Sequence, residues 1–209
     1  MKCRVLMITL LCISVVAGCS MKKADLSKVT ESTVGINADG SVDEVVIESF
    51  DREYYSLEEL QDFVNEEVTA FNEANPREQP ENQKDDPKSA VITVQSIEED
   101  TDGKMVRMAL SYLNTNIYNA FNGTGLQFMP AEEAASEDSI AGAKLISVKT
   151  GESAAFADLA GLEKLYVICT SEPLQIRTSG KILYYSEASS LIDDHTVSTA
   201  EGQSVIVFK

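Results

Sequence analysis

Cysteine and histidine, the side chains most readily recruited as nucleophile or base near neutral pH, are few in this chain: Cys3, Cys12, Cys19, Cys169 and a lone histidine, His195. Cys169 closes the run Leu165-Tyr166-Val167-Ile168-Cys169, whose apolar and β-branched residues predict a buried strand. A reactive thiol needs exposure and a basic neighbour, so Cys169 reads as structural. His195 follows Asp193 and Asp194 in a polar segment. A histidine beside carboxylates can act as a general base, but no Gly-x-Ser-x-Gly setting supplies it with a serine, and it reads as a turn residue. One histidine excludes His-x-x-x-His zinc pairs. The run Glu98-Glu99-Asp100-Thr101-Asp102-Gly103 places oxygens at the first, third and fifth positions of a calcium loop with glycine at the sixth, but Ala109 stands where a bidentate glutamate is required. A hairpin turn that needs Asp and Gly accounts for the same residues. Gly123-Thr124-Gly125 lacks both the Gly-Lys-Ser/Thr of a phosphate loop and a dinucleotide-binding spacing. The reading is therefore no catalytic residues, no metal ligands and no cofactor.

Cys19 is different, because its setting prescribes a modification. Lys2 and Arg4 precede an apolar stretch from Val5 to Val16, too short for a membrane span, which needs about 20 residues. Val16-Ala17-Gly18-Cys19 ends that stretch, and the small pair in front of a cysteine resembles the lipobox of bacterial lipoproteins. The resemblance implies that residues 1–18 are a signal peptide and that Cys19 becomes the lipidated first residue. The membrane would then be a partner through the lipid anchor on Cys19, and the protein would face outward from the cell membrane. Cys3 and Cys12 leave with the leader, so Cys169 has no intramolecular partner for a disulfide.

Without Lys2 and Arg4, 15 basic residues remain against 34 acidic ones, a formal charge of −19. No Lys/Arg cluster offers phosphate binding, so nucleic acid is excluded as a partner. An acidic body is also repelled by an anionic membrane surface or wall polymer, which leaves attachment to the lipid.

The elements that would position any site can be read along the chain. Residues 19–32 form a polar tether without periodicity, and residues 33–209 form a single globular domain. Val34 and Ile36, then Val42, Val45 and Ile47, flank Asn37-Ala38-Asp39-Gly40 and predict a hairpin. Ser56 with Glu59 forms a capping-box pattern, and Tyr55 and Leu60 occupy the staple positions. Leu57, Leu60, Val64, Val68 and Phe71 continue from it as one apolar helical stripe, which Asn75-Pro76 ends. Pro76 to Lys88 predicts an exposed loop. A second hairpin is expected around Asp100-Thr101-Asp102-Gly103, then helices over Thr115–Phe121, Ala131–Glu137 and Ser153–Gly161, with a strand at Lys144–Val148. Leu165–Cys169, Leu174–Ile176, Ile182–Tyr185 and Ser204–Phe208 read as a strand-rich C-terminal meander. Together these predict an α+β fold: a largely antiparallel sheet with one main packed helix.

Three segments, Val45–Asp51 running into Tyr54–Leu60, Tyr112–Gly123 and Gly180–Ser186, resemble parts of uncharacterised surface lipoproteins of Gram-positive Firmicutes. The resemblance implies a surface lipoprotein and supplies no catalytic residues. The expected function is a non-enzymatic, lipid-anchored extracytoplasmic module that binds an envelope or surface protein. Two alternatives stand beside it. One is a carboxylate-dependent hydrolase, disfavoured because the chain has no Trp to stack a sugar. The other is a small solute-binding lipoprotein, disfavoured because such subunits close two lobes about a hinge. Tyr54, Tyr55, Tyr112, Tyr118, Tyr166, Tyr184 and Tyr185 could line a groove, though core packing is the default reading.

Overall fold

The computed structural model describes residues 22–77 and 90–209. The leader, Cys19 and the Pro76–Lys88 loop beyond Arg77 lie outside the described residues. Strands β1 (Thr33–Ile36) and β2 (Val42–Ser49) form the first hairpin. Helix α1 (Leu57–Ala74) follows, then the hairpin of β3 (Ile92–Glu99) and β4 (Met105–Tyr112), and helix α2 (Thr115–Asn122). Strand β5 (Gln127–Pro130), the short helices α3 (Ala131–Ala134) and α4 (Asp138–Ala141), and strands β6 (Lys144–Ser147) and β7 (Ser153–Ala155) lead to a 3-10 turn at Phe156–Asp158. The last strands are β8 (Tyr166–Thr170), β9 (Gln175–Thr178), β10 (Ile182–Ser186), β11 (Ser190–Asp193), β12 (Thr196–Ser198) and β13 (Ser204–Phe208).

The fold is α+β, with α1 as the main helix and a strand-rich C-terminal region. Its strands make two sheets, ordered β11-β12-β9-β1-β2-β4-β3 and β5-β8-β13-β10-β6-β7. All their pairings are antiparallel except that of β1 with β9. The C-terminal strands do not pair in chain order. β13, the last, lies between β8 and β10, while β9, β11 and β12 join the other sheet beside β1.

Local chemistry explains the helices. The Ser56 hydroxyl accepts from the Glu59 N–H at 3.3 Å, and Asn75 closes α1 by donating its backbone N–H to the Phe71 carbonyl. On its stripe Val64 and Val68 are buried and Leu57, Leu60 and Phe71 half-buried, while Glu58, Glu59, Asp62, Asn65, Glu66 and Glu73 face water. α2 stops at Gly123, whose φ of 68° is the left-handed cap that favours glycine. The helix expected over Ser153–Gly161 is not formed. Ser153–Ala155 instead pairs with β6, and the Phe156 N–H donates to the Ala143 carbonyl at 2.9 Å, so that the fully buried Phe156 ring anchors the segment. A weakly periodic Ser-Ala-Ala run carries no preference strong enough to resist that pairing.

The core is continuous between the sheets. Val34, Ile36 and Ile176 of the first sheet share one apolar cluster with Ile168, Ile182, Ile206 and Phe208 of the second. The opposite face of the second sheet, with Val167, Val205 and Val207, is covered by Ala131, Ala134, Ile140 and Phe156.

Residues 22–32, expected to be part of a tether, contain no helix or strand but are docked on the outer face of the first sheet. Ala24 and Leu26 are buried there, and the Ala24 N–H donates to Asn37 Oδ1 at 2.8 Å. The Arg107 guanidinium donates to the carbonyls of Leu26 and Val29, and Lys23 pairs with Asp43 at 3.4 Å. Gly35 makes room: a Cβ on it would stand 3.1 Å from Ala24 and Leu26 and 3.2 Å from the Asp43 carbonyl.

Candidate functional site

α1 is pinned to one edge of the first sheet by side chains that complete backbone hydrogen bonds of β3. Asn72 donates to the Ile92 carbonyl at 2.9 Å and accepts from the N–H groups of Val91 and Ile92, while Gln61 donates to the Ile97 carbonyl at 3.0 Å. The other sheet covers this same face at β1, through Val34 and Ile36. Between the two covers, the inward positions of β2 are left accessible: Glu44 and Val46 are half-buried and Glu48 is exposed.

The gap is an apolar trough with two halves. One, of about 440 Å³, is lined by Glu44, Glu67, Phe71, Leu110, Tyr112 and Phe121; the other, of about 450 Å³, by Glu48, Phe50, Tyr54, Tyr55, Glu59 and Leu60. Val46, Phe63 and Met108 line both and make the floor continuous. Of the five large apolar side chains that stand most exposed among the described residues, Tyr54 (76%), Tyr55 (44%) and Phe63 (61%) all line this trough. Exposed aromatic side chains concentrated in one concavity are the mark of a contact surface rather than of scattered surface hydrophobicity.

Aromatic packing builds both ends. Tyr55 stacks on Phe50 with ring centroids 5.1 Å apart, and Tyr54 meets Tyr55 edge-on at 4.9 Å. At the opposite end Tyr112 and Tyr118 make an edge-to-face pair at 5.1 Å, and Phe121 meets Phe71 at 5.3 Å. Against this wall lies the Glu44 carboxylate. Tyr112 donates to Oε2 at 2.6 Å and Tyr118 to Oε1 at 3.3 Å, and Asn122 in turn donates to the Tyr112 hydroxyl at 3.3 Å. Burial pushes the Glu44 carboxyl above its ordinary range, and the two phenol hydrogen bonds only partly offset this. Burial, followed by the charge of Glu44, raises both phenols, so they remain hydrogen-bond donors at neutral pH. No Lys, Arg or His is among the described residues lining either half. The arrangement suits an apolar surface that carries positive charge.

The residues first singled out for chemistry are not brought together here. Cys169 is buried on β8, and burial raises its thiol above the ordinary range. His195 lies in the turn between β11 and β12, its Nδ1 3.1 Å from the Thr178 carbonyl. Of the carboxylates beside it, Asp193 accepts from the His195 backbone N–H at 2.7 Å and pairs with Arg177 at 2.9 Å, and Asp194 pairs with Lys181 at 2.6 Å. Asp100, the centre of the calcium-like run, accepts from the N–H groups of Lys104 and Met105, and Gly103 takes a φ of 63°. Those residues build the β3–β4 turn. Among the described residues no group of three His, Cys, Asp or Glu side chains could hold a metal, and no helix is long and apolar enough to cross a membrane. Cys19 lies outside the described residues.

Glu44 and Phe63 are the site residues that the sequence reading missed. The available signal was the alternation Val42, Glu44, Val46, Glu48, which sets carboxylates on the same strand face as the core residue Val42. Compared with known proteins, the chain matches no family model, no curated protein and no solved structure.

Proposed function

We propose that this protein is a lipid-anchored, extracytoplasmic binding module of the cell envelope that works without catalysis and holds a partner in the trough beside α1. The observation that carries the reading is the concentration of exposed Tyr54, Tyr55 and Phe63 in one apolar concavity. The anchor rests on Val16-Ala17-Gly18-Cys19, with localisation at the outer face of the cell membrane.

The docked N-terminal segment gives this reading an orientation. Lys23 and Ala24 are held at Asp43 and Asn37, near the start of β2, so a lipid on Cys19 would enter at that end of the sheet. The eight residues of β2 run about 25 Å to the other end, where Tyr54 and Tyr55 stand. The tyrosines then face away from the membrane, where a partner can reach them.

A photoreactive phenylalanine analogue at Phe63, compared on intact cells with the same analogue at exposed Glu132 on α3, tests the surface. We expect a discrete adduct from position 63 alone. Equal capture from both positions, or none from position 63, rejects the trough as the binding surface.

One observation favours a second reading. Glu44 is a carboxyl with a raised pKa inside a cleft, the pattern of a general acid, and a carboxylate-dependent hydrolase would use it. The small solute-binding alternative has no such group to name. Glu44→Gln discriminates, since it would abolish turnover in a hydrolase, whereas a binding module shows no turnover in the wild type and weaker partner capture at position 63 in the variant.

A further inference from the structure

We infer that the trough takes a cationic amphipathic segment of a partner protein, with apolar side chains over Val46, Phe63 and Met108 and Lys or Arg reaching the carboxylates at both ends. The inference rests on the trough being the binding surface and adds the chemistry of its occupant.

Charge and spacing carry it. Glu44 and Glu67 line one half, and Glu48 and Glu59 the other, with the apolar floor between them. Glu44 and Glu48 are four residues apart on one face of β2, about 13 Å, and Glu59 and Glu67 are eight residues apart on α1, about 12 Å. Each wall thus carries a carboxylate at either end of a gap that matches two turns of helix, or four residues of extended chain. No cationic side chain answers these carboxylates among the described residues lining the trough. The acidity of Glu44 is not the incidental acidity of an acidic surface, because its half-buried carboxylate is fixed by the Tyr112 and Tyr118 hydroxyls at 2.6 and 3.3 Å, where a charge without a cationic partner is disfavoured. A cation there satisfies Glu44, and the exposed carboxylates contribute mainly steering and salt dependence.

Other occupants fit poorly. Anionic lipid headgroups and wall polymers are repelled by four carboxylates, as is a second copy of a chain with a formal charge of −17. The chain's own residues 78–89 are mostly acidic or polar and hold no aliphatic or aromatic side chain to fill the floor.

The test uses the mature chain, residues 19–209, made without the leader so that Cys19 carries no lipid. The probe is a fluorescent helical peptide with a leucine face and lysines seven residues apart, about 11 Å along the helix. Fluorescence anisotropy should show binding that weakens as salt rises. Replacing the peptide's lysines by glutamate should abolish binding. The double variant Glu44→Gln/Glu48→Gln should bind at least about tenfold more weakly, a loss of about 1.4 kcal/mol, and Glu48→Gln/Glu59→Gln should bind more weakly by a smaller factor and with a shallower salt dependence. The second pair is exposed and guards against a folding defect at Glu44. The control Glu132→Gln/Glu133→Gln removes the same charge from α3 and should bind as wild type does. No binding to the wild type, equal binding of the lysine and glutamate peptides, an equal loss in the α3 control, or preferential binding of phosphatidylglycerol vesicles overturns the inference. The two levels separate at Phe63→Ser. If that change weakens binding while the charge variants do not, the trough stands and its cationic occupant falls. If it leaves binding unchanged, the trough itself is wrong.

Discussion

Strands β13 and β2 differ in what covers them, and the difference explains where a site can exist. Every residue of β13 is buried: Ile206 and Phe208 enter the core shared by the two sheets, while Val205 and Val207 pack under α3 and α4. A strand sealed on both faces admits no unpaired polar side chain, since desolvation would go uncompensated. β2 has one face under the docked N-terminal segment, where Val45 is 3% exposed, and the other at the boundary between two covers. That boundary leaves Glu44 half-buried and accessible at once. Burial is complete where both covers meet, and an accessible surface remains where they stop short.

The comparison can be broken most forcefully at Phe208, which is fully buried against Tyr166 and Phe128. Phe208→Ala should destabilise the protein by about 3–5 kcal/mol, measured by urea unfolding. A loss below about 1 kcal/mol would mean that this face is as open as the trough.

Glu44 gives an effect of intermediate size and definite sign. Its carboxyl is raised in the folded state, so the folded protein holds the proton more tightly than the unfolded chain does. The resulting stability is complete below the unfolded value near 4.5 and is lost as pH rises through the higher folded value. Relative to Glu44→Gln, the wild type should therefore lose stability as pH rises above about 4.5. Parallel stability curves for the two proteins would show that Glu44 is as solvated as a surface carboxylate.

The smallest change is expected at Phe63. Its ring is 61% exposed, so Phe63→Ala should alter unfolding free energy by no more than about 0.5 kcal/mol. A larger loss in the same urea series would reassign Phe63 from the trough lining to the core.

What could be read from the chain was local. The Ser56 cap and the stripe from Leu57 to Phe71 give α1, Asn122-Gly123 ends α2, and the Asp/Gly runs mark the turns after β1 and β3, because each depends on contacts within a few residues. The anchor assignment at Cys19 likewise depends only on its neighbours in sequence. The trough was not readable in that way. On β2 the buried residues Val42 and Val45 lie on opposite faces, so the period-two signal that would have singled out Glu44 is blurred by the docking of residues 22–31 on the outer side. The insertion of β13 between β8 and β10, the parallel pairing of β1 with β9, and the offset of α1 toward β3 all join residues far apart in the chain. Capping and periodicity determined most of the helices, strands and turns, with Ser153–Gly161 the exception. Only the tertiary structure decided which strand faces stay uncovered, because coverage is set by long-range packing that no local pattern encodes.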